Sequence, residues 1–483
     1  MKIHTTLALS ILATLAVPAS GTAQTGHEAV AAHVEAHASD YAAVAQQIWD
    51  LAEVGYQETE SSALLQSRLT AAGFEIEAGV EGMPTAFVAS WGSGSPVIGI
   101  LAEYDALPGI TQSRSAERDP RPEMGAGHAC GHHLFGSGSV AAAVAVKEWL
   151  ASSGTSGTIR LYGTPAEEGG AGKVYMVRGG LFDDVDAVLH WHAGSSNDAS
   201  PSTSLANKSA KFRFHGVSAH AAGAPDQGRS ALDGVEAMNN MVNMLREHVP
   251  METRIHYVIT AGGSAPNVVP DFAEVYYYVR NPDVEVARSI FDRVALAAEG
   301  AALGTGTRME YEVIHGLYAM LSNETLQLRA HENLERVGGV EYDDAERAFA
   351  MAIQATLTEK PPLESAAEVQ TYMPRAGGGS TDVADVSWVV PTVGINTATW
   401  VPGTPAHSWQ AIAAGGTSIG NKGMVVAAKT LAMTAVDLFT DSELLAAAKA
   451  EYLEKVGPDF RYVSLVGDRA PPLDYRKPAG GSE

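Results

Sequence analysis

Three histidines and the chain's only thiol fall within six residues, Gly127-His128-Ala129-Cys130-Gly131-His132-His133. Thiolate and imidazole are good ligands for zinc and similar divalent ions, and the flanking glycines let the backbone turn tightly. Coordination would also protect a lone thiol, which can form no internal disulfide, from oxidation. The plainer reading is a buried structural cysteine beside surface histidines. A second cluster, Gly163-Thr164-Pro165-Ala166-Glu167-Glu168-Gly169-Gly170, directly follows an apolar run ending at Tyr162. If that turn is irregular, one carboxylate can ligate a metal while its neighbour takes a proton from water and returns it to a leaving amine. On a regular surface the same pair would merely be solvated. His190-Trp191-His192 closes another apolar run, and strand alternation puts both histidines on one face. The segment Pro405-Ala406-His407-Ser408-Trp409 adds a distant imidazole. Together Cys130, His132, Glu168, His192 and His407 exceed the usual three protein ligands of one catalytic zinc, which points to two metal ions.

These residues need elements to position them. From about Ser39 to Ala193, helical spacing over Tyr41 to Gly55 and Ser61 to Gly73 alternates with buried-strand runs at Val97 to Leu101, Thr158 to Tyr162 and Ala187 to Leu189. A further helical stretch follows Gly136. This is an α/β pattern, whose ligands bind beyond the carboxyl ends of the strands. The order then changes to strand (Lys211 to His215), helix (Arg229 to His248), two strands (Arg254 to Thr260, Ala273 to Arg280), helix (Val284 to Leu303) and strand (Arg308 to Ile314). That βαββαβ order is ferredoxin-like and predicts an inserted domain of about a hundred residues. The α/β pattern resumes after Gly316, with a strand at Val389 to Asn396 and a helix at Met424 to Thr440. The expected division is a signal peptide at 1–23, catalytic residues 27–205 and 316–445, an insert at 206–315, and a tail at 446–483 lying loosely on the surface from Ala470.

A length of 483 residues is too great for one compact core, and 46% hydrophobic with 18% charged residues describes an ordinary globular chain. The formal charge of −24 argues against nucleic acid and anionic membrane as partners. Lys2, the apolar run Leu7 to Val17, and Ala19, Gly21 and Ala23 read as a signal peptide cleaved after Ala23, so the protein is expected to be exported, periplasmic or secreted. No other segment reads as a membrane span.

The run Glu103-Tyr104-Asp105-Ala106-Leu107-Pro108-Gly109, the His-Ala-Cys-Gly-His cluster and the Pro-Ala-Glu-Glu turn resemble the M20 metallopeptidases, in particular their amidohydrolase branch. The resemblance implies a mixed-sheet α/β catalytic domain with an inserted ferredoxin-like α+β domain used for dimerisation. It assigns Cys130, His132, Glu168, His192 and His407 as ligands of two divalent ions (zinc or manganese, with cobalt also suited), with Cys130 bridging. It makes Glu167 the general base and places Asp105 behind a ligand. Through Gly216-Val217-Ser218-Ala219-His220-Ala221-Ala222 and Ala265-Pro266-Asn267-Val268-Val269-Pro270-Asp271, it assigns His220 to the tetrahedral oxyanion of a partner's site in a homodimer. Asn267 and Arg280 become candidates for the substrate carboxylate. His133 stands where many members of the branch carry aspartate. The segments His133-Leu134-Phe135-Gly136, Ser380-Thr381-Asp382-Val383 and His407-Ser408-Trp409-Gln410 look more like the aminobenzoyl-glutamate utilisation protein B group. The implied activity is hydrolysis of an N-acyl or N-aroyl amino acid, or of a dipeptide. A zinc deaminase would need Pro-Cys-x-x-Cys, which one cysteine cannot supply. A metal- or ligand-binding protein on an inactive hydrolase fold would have no use for Glu167.

Overall fold

The computed structural model describes residues 19–476. Helices α1 (Ala19–Ala36), α2 (Ala38–Leu51) and α3 (Thr59–Ala71) lead into strands β1 (Glu75–Ala78), β2 (Phe87–Ser93) and β3 (Val97–Ala102). A two-stranded piece, β4 (Leu107–Pro108) with β5 (Ala126–Gly127), precedes α4 (His132–Ser153), β6 (Gly157–Gly163), α5 (Gly172–Arg178) and β7 (Ala187–Gly194). The insert follows as β8 (Ala206–His215), α6 (Ala231–Leu245), β9 (Arg254–Ala261), β10 (Phe272–Asn281), α7 (Val284–Thr305) and β11 (Arg308–Leu317). The chain returns through α8 (Glu324–Val337), α9 (Asp344–Ala355), α10 (Val383–Ser387), β12 (Thr392–Ala398), α11 (Trp409–Gly415), α12 (Ser418–Thr440) and α13 (Ser442–Val456).

The main sheet has the order β1-β2-β6-β3-β7-β12. β3 pairs in parallel with β6 and β7, and β7 with β12, whereas β1, β2 and β6 pair antiparallel. Every residue of β3 is buried, as its unbroken apolar run requires of a strand covered on both faces. Because the four parallel strands run the same way, the segments following β3, β6 and β12 and the last residues of β7 emerge along one edge. The chemical clusters lie at that edge.

Helix α4 begins at the same edge, two residues after Cys130. Its N-cap is Gly131 at φ 80°, where a Cβ would stand 2.4 Å from that of Ala193 on β7. Only glycine meets both the left-handed backbone and the missing space.

The second sheet has the order β11-β8-β10-β9, with the helices α6 and α7 packed on one face and the expected βαββαβ connectivity. β10 alternates strictly, burying Ala273, Val275, Tyr277 and Val279 against those helices. Its other residues share the opposite face with the ion pairs Arg213–Glu274 (2.7 Å) and Arg213–Glu312 (3.0 Å).

The structure differs from the sequence-based expectation at several points. β12 starts at Thr392, because Val389 and Val390 still close the turn of α10 through bonds to the Val386 carbonyl. The tail expected from 446 begins inside α13, which Asp441 caps by accepting from the amides of Glu443 and Leu444. β11 runs past 315 to Leu317. Of the signal peptide, residues 1–18 lie outside the described residues, and α1 passes through the expected cleavage point after Ala23. One described helix, α12, is long and apolar enough to cross a bilayer by length and composition, with a mean hydropathy of 1.3. With 78% of that window buried against α1, α4 and α8, it is a core helix.

The start of α4 can be tested against its end, where Gly154 is also left-handed (φ 69°) but faces open space. Gly154→Ala should cost roughly 1–2 kcal/mol from backbone strain alone. Gly131→Ala should add a further ~1–3 kcal/mol from overlap with Ala193. Urea midpoints of the two variants measure this, and equal shifts would show that the contact with Ala193 relaxes freely.

Candidate metal centre

Asp105, at the end of β3, organises the site. His132 Nδ1 donates to Asp105 Oδ1 (2.9 Å), and the backbone amide of Glu168 donates to Asp105 Oδ2 (2.9 Å). With Nδ1 engaged, His132 presents Nε2 as its ligand atom, the usual carboxylate–histidine–metal arrangement. His192 is set the same way, since its Nδ1 donates to the Ala193 carbonyl (2.8 Å) and its Nε2 stands 3.4 Å from Cys130 Sγ. His407 arrives on the loop after β12 with a left-handed backbone, φ 58°, and its amide donates to the Ala129 carbonyl (2.9 Å). Its Nε2 stands 3.2 Å from Glu168 Oε1.

Two donor triads result, Cys130 with His132 and His192, and Cys130 with Glu168 and His407. Within each, the ligand atoms lie within 4.8 Å of one another, and Cys130 belongs to both. Two donors on one tetrahedral zinc, about 2.0–2.3 Å from the ion, lie roughly 3.3–3.6 Å apart. The 3.4 Å and 3.2 Å separations fall in or next to that range. His132 Nε2 and Glu168 Oε1 are buried without a hydrogen-bond partner, a costly state that a cation between the donors relieves. The residues therefore fit two divalent ions sharing the Cys130 sulfur.

Burial pushes the Cys130 thiol up, and a coordinated ion reverses this by deprotonating a ligating thiol. Burial and then His132 hold His192 below the usual histidine value, which favours the neutral, ligating imidazole. For His132, burial opposes protonation, but Cys130, Glu103 and Asp105 together outweigh it and raise the ring well above its ordinary value. Ion binding at this group must therefore displace a proton. Glu167 is half-buried, and burial followed by repulsion from Glu103, Glu168 and Asp382 pushes its carboxyl well above the ordinary range.

The Glu167–Glu168 turn is irregular. Ala166 (φ 60°), Gly169 (φ 98°) and Ala171 (φ 57°) are left-handed. Buried Glu58 holds the start of the turn, accepting from the Ala166 amide (2.8 Å) and the Thr85 hydroxyl (2.9 Å). Burial, then the Asp105 charge, pushes the Glu58 carboxyl up to about 8. Tyr56 donates to the Gly170 carbonyl (2.9 Å).

Sequence reasoning misses a buried ion chain behind this turn. Lys173 Nζ reaches Glu103 Oε1 (2.7 Å) and Asp382 Oδ1 (2.6 Å), and Glu103 Oε2 stands 3.1 Å from His132 Nε2. Glu103, His132 and Glu167 form a third group of close ligand atoms. Lys173 carries a usable signal, as a lone cation ahead of the apolar run Val174-Tyr175-Met176-Val177.

Not every histidine of the clusters takes part. His128 donates to the Ile48 carbonyl and His133 to the Gly415 carbonyl, both at 3.0 Å. Burial holds both rings neutral, His128 down to about 3 and His133 well below its usual value. His190 shares a face with His192, yet lies against Gly394 outside the donor groups.

The remaining candidates sit on the second sheet and belong to none of the donor groups found among the described residues. His220 is exposed, and its Nδ1 accepts from the amides of Ala222 (3.2 Å) and Gly223 (3.1 Å), which leaves the proton on Nε2. Asn267 lies beside it, its carbonyl accepting from the Ala221 amide. Arg280, in register with Asn207 and Arg254, lies over the Tyr278 ring and has a buried, unpartnered Nε.

A family model for peptidase family M20/M25/M40 matches residues 99–411. One of the two subunits of the p-aminobenzoyl-glutamate hydrolase of Escherichia coli (strain K12) is 43% identical over 447 residues, 87% of this chain and 93% of that protein. The Xaa-Arg dipeptidase of Mus musculus is 29% identical over 438 residues, 87% of this chain and 91% of that one. Among solved structures, a dinuclear metal binding peptidase of the M20 family from Bacillus subtilis shares the fold, with a TM-score of 0.58 and 19% identity over 84% of this chain and 99% of that chain. Fold, donor set and sequence likeness agree, and the chain belongs to peptidase family M20 as a metal-dependent hydrolase of amide bonds.

Proposed function

We propose that this protein hydrolyses the amide bond of an N-acyl or N-aroyl amino acid of the p-aminobenzoyl-glutamate type, or of a dipeptide. It would use two ions held by Cys130, His132 and His192 and by Cys130, Glu168 and His407. The observation that carries this reading is the pair of triads sharing one sulfur with the Glu167 carboxylate beside them. When bound, a pair of divalent ions supplies Lewis acidity toward the carbonyl oxygen and lowers the pKa of water. Thiolate and imidazole donors favour zinc, and manganese or cobalt are the alternatives.

Glu167 takes the proton of the attacking water and delivers it to the departing nitrogen, the task for which a carboxyl with a raised pKa is suited. Asp105 keeps His132 in the tautomer that ligates and fixes the peptide of Glu168. His220, with its proton on Nε2, donates to the developing oxyanion. Arg280 and Asn267 receive the substrate carboxylate, for which the unpartnered guanidinium nitrogen of Arg280 is suited.

The working unit is a homodimer built on the second sheet. β9 is an edge strand with Tyr257, Val258 and Ile259 exposed, an open ladder that invites pairing with a second copy. The protein is exported, on the strength of Lys2, the apolar run Leu7 to Val17 and the small residues at Ala19, Gly21 and Ala23.

Metal-loaded enzyme should release amine from p-aminobenzoyl-glutamate or another member of an N-acyl amino acid panel, and chelation should abolish turnover. Cys130→Ser and Glu168→Gln should lose metal as well as rate. Glu167→Gln should keep its metal and lose at least ~10²-fold in kcat. Metal analysis beside kinetics checks this, and metal retained in Cys130→Ser or lost in Glu167→Gln would reverse the assignments.

His220→Ala and Glu167→Gln should complement when mixed. If His220 serves the partner's site, a mixed dimer has one site carrying both defects and one carrying neither, and recovers up to about half the wild-type activity. No recovery despite verified subunit exchange would place His220 in its own chain's site. Export is checked by the N-terminus of protein secreted from an expressing bacterium, expected at Gln24, and recovery of the intact chain from the cytoplasm alone would exclude it.

A further inference from the structure

Beyond α13 the chain runs back to the metal centre. Tyr462 donates to buried Asp385 (2.8 Å), and Leu465 and Val466 are buried. Arg178, at the end of α5, donates to the carbonyls of Gly467 (2.8 Å) and Arg469 (2.7 Å). Arg469 in turn reaches the insert, donating to the Ile314 carbonyl (2.9 Å) and to Glu312 (2.8 Å) on β11. Gln57 donates to the Leu473 carbonyl (2.9 Å), and the segment then ends on the catalytic turn. There the Tyr475 hydroxyl donates to the carbonyl of Glu168 (3.2 Å), and Arg476 Nη2 donates to the same oxygen.

These last contacts are closely fitted. The Tyr475 ring meets the edge of Tyr56, whose own hydroxyl holds the Gly170 carbonyl, and Arg476 lies over the Tyr475 ring. A Cβ on Gly55 would fall 2.2 Å from the Tyr475 hydroxyl. Both main-chain polar groups of Glu168 are thus taken from outside the turn. Asp105 holds the amide, and Tyr475 with Arg476 holds the carbonyl. A turn with left-handed residues at 166, 169 and 171 keeps that shape only where its surroundings impose it. A charged donor to a carbonyl is among the stronger ways of doing so.

We propose that Tyr475 and Arg476 are positioning residues of the metal centre, holding the Glu168 carboxylate in place for the ion it shares with Cys130 and His407. The proposal rests on Glu168 being a ligand, so the test contains its own reference. Metal is titrated into full-length apoprotein against a competing chelator for the wild type, Glu168→Gln, Tyr475→Phe, Arg476→Gln, the Tyr475→Phe/Arg476→Gln double variant and Arg476→Lys. Glu168→Gln should weaken one of the two binding steps. The double variant should weaken the same step by roughly 10–100-fold, the usual cost of losing a group behind a ligand, and leave the other step unchanged. At limiting metal its kcat should fall with KM unchanged, and excess metal should restore kcat. Arg476→Lys, which keeps a charged donor, should recover most of the affinity lost in Arg476→Gln.

Both steps unchanged in the double variant would overturn the proposal. So would equal weakening of both steps together with a lowered melting temperature, which marks general packing. If Glu168→Gln leaves both steps intact, the ligand assignment falls and takes the proposal with it. If Glu168→Gln weakens one step and the tail variants weaken neither, only the role of the tail is lost.

Discussion

The Asp105 carboxylate accepts from the imidazole of His132 with one oxygen and from the amide of Glu168 with the other, so a single side chain at the end of β3 sets donors of both ion sites in register. Much of the site follows from that link. His132 opens α4, whose start is fixed by the left-handed Gly131 against β7, and Glu168 lies in the turn that follows β6. A shift of β3 relative to its parallel neighbours would misplace both triads together. The fully buried apolar run of β3 is what guards against such a shift.

The same edge gathers more negative charge than the protein can neutralise from its own side chains. Glu58, Glu103, Asp105 and Asp382 are buried, Glu167 and Glu168 are half-buried, and Lys173 is the buried lysine among them. Removing a carboxylate from water costs several kcal/mol or so unless it is paired or protonated. Glu58, Glu167 and Asp382 are accordingly all pushed upward, burial being the largest cause for each. Two dications among such groups reverse the local logic, favouring the ionised carboxylates and the thiolate. The acidic crowding at the strand ends is therefore part of how the site selects cations.

How much of this is readable in the sequence depends on where each group finds its partner. The α/β pattern, the βαββαβ insert and the five donors follow from short runs whose period or residue type is local. His128, His132 and His133 look alike in the sequence, yet two of them turn away to the carbonyls of Ile48 and Gly415, which are 80 and 282 residues distant. The adjacent glutamates are legible as a pair. The irregularity that separates their roles depends on Glu58, Asp105, Tyr475 and Arg476, up to 308 residues away. The tail reads as loose because proline, glycine and charge usually mean a solvated chain. Its anchoring goes largely through main-chain carbonyls and two buried side chains, which leave little mark on composition.

The groups proposed for ions and for substrate stand on different sheets. Cys130, His132, Glu167, Glu168, His192 and His407 are fixed at the edge of the main sheet, while His220, Asn267 and Arg280 belong to the second. Amide hydrolysis needs an open site to admit substrate and a dry one to strengthen the electrostatics of the transition state. Two sheets that can approach one another meet both needs without disturbing ligand geometry, provided the catalytic turn is insulated from their motion. The segment ending at Arg476 lies on that path. It packs Leu465 against Gly316, where β11 returns toward the main sheet, ties Arg469 to Ile314, and finishes on the carbonyl of Glu168. A turn held at its amide by β3 and at its carbonyl by the tail has little freedom to follow the second sheet, so closure can change what the substrate touches while the ions' ligands stay where they are.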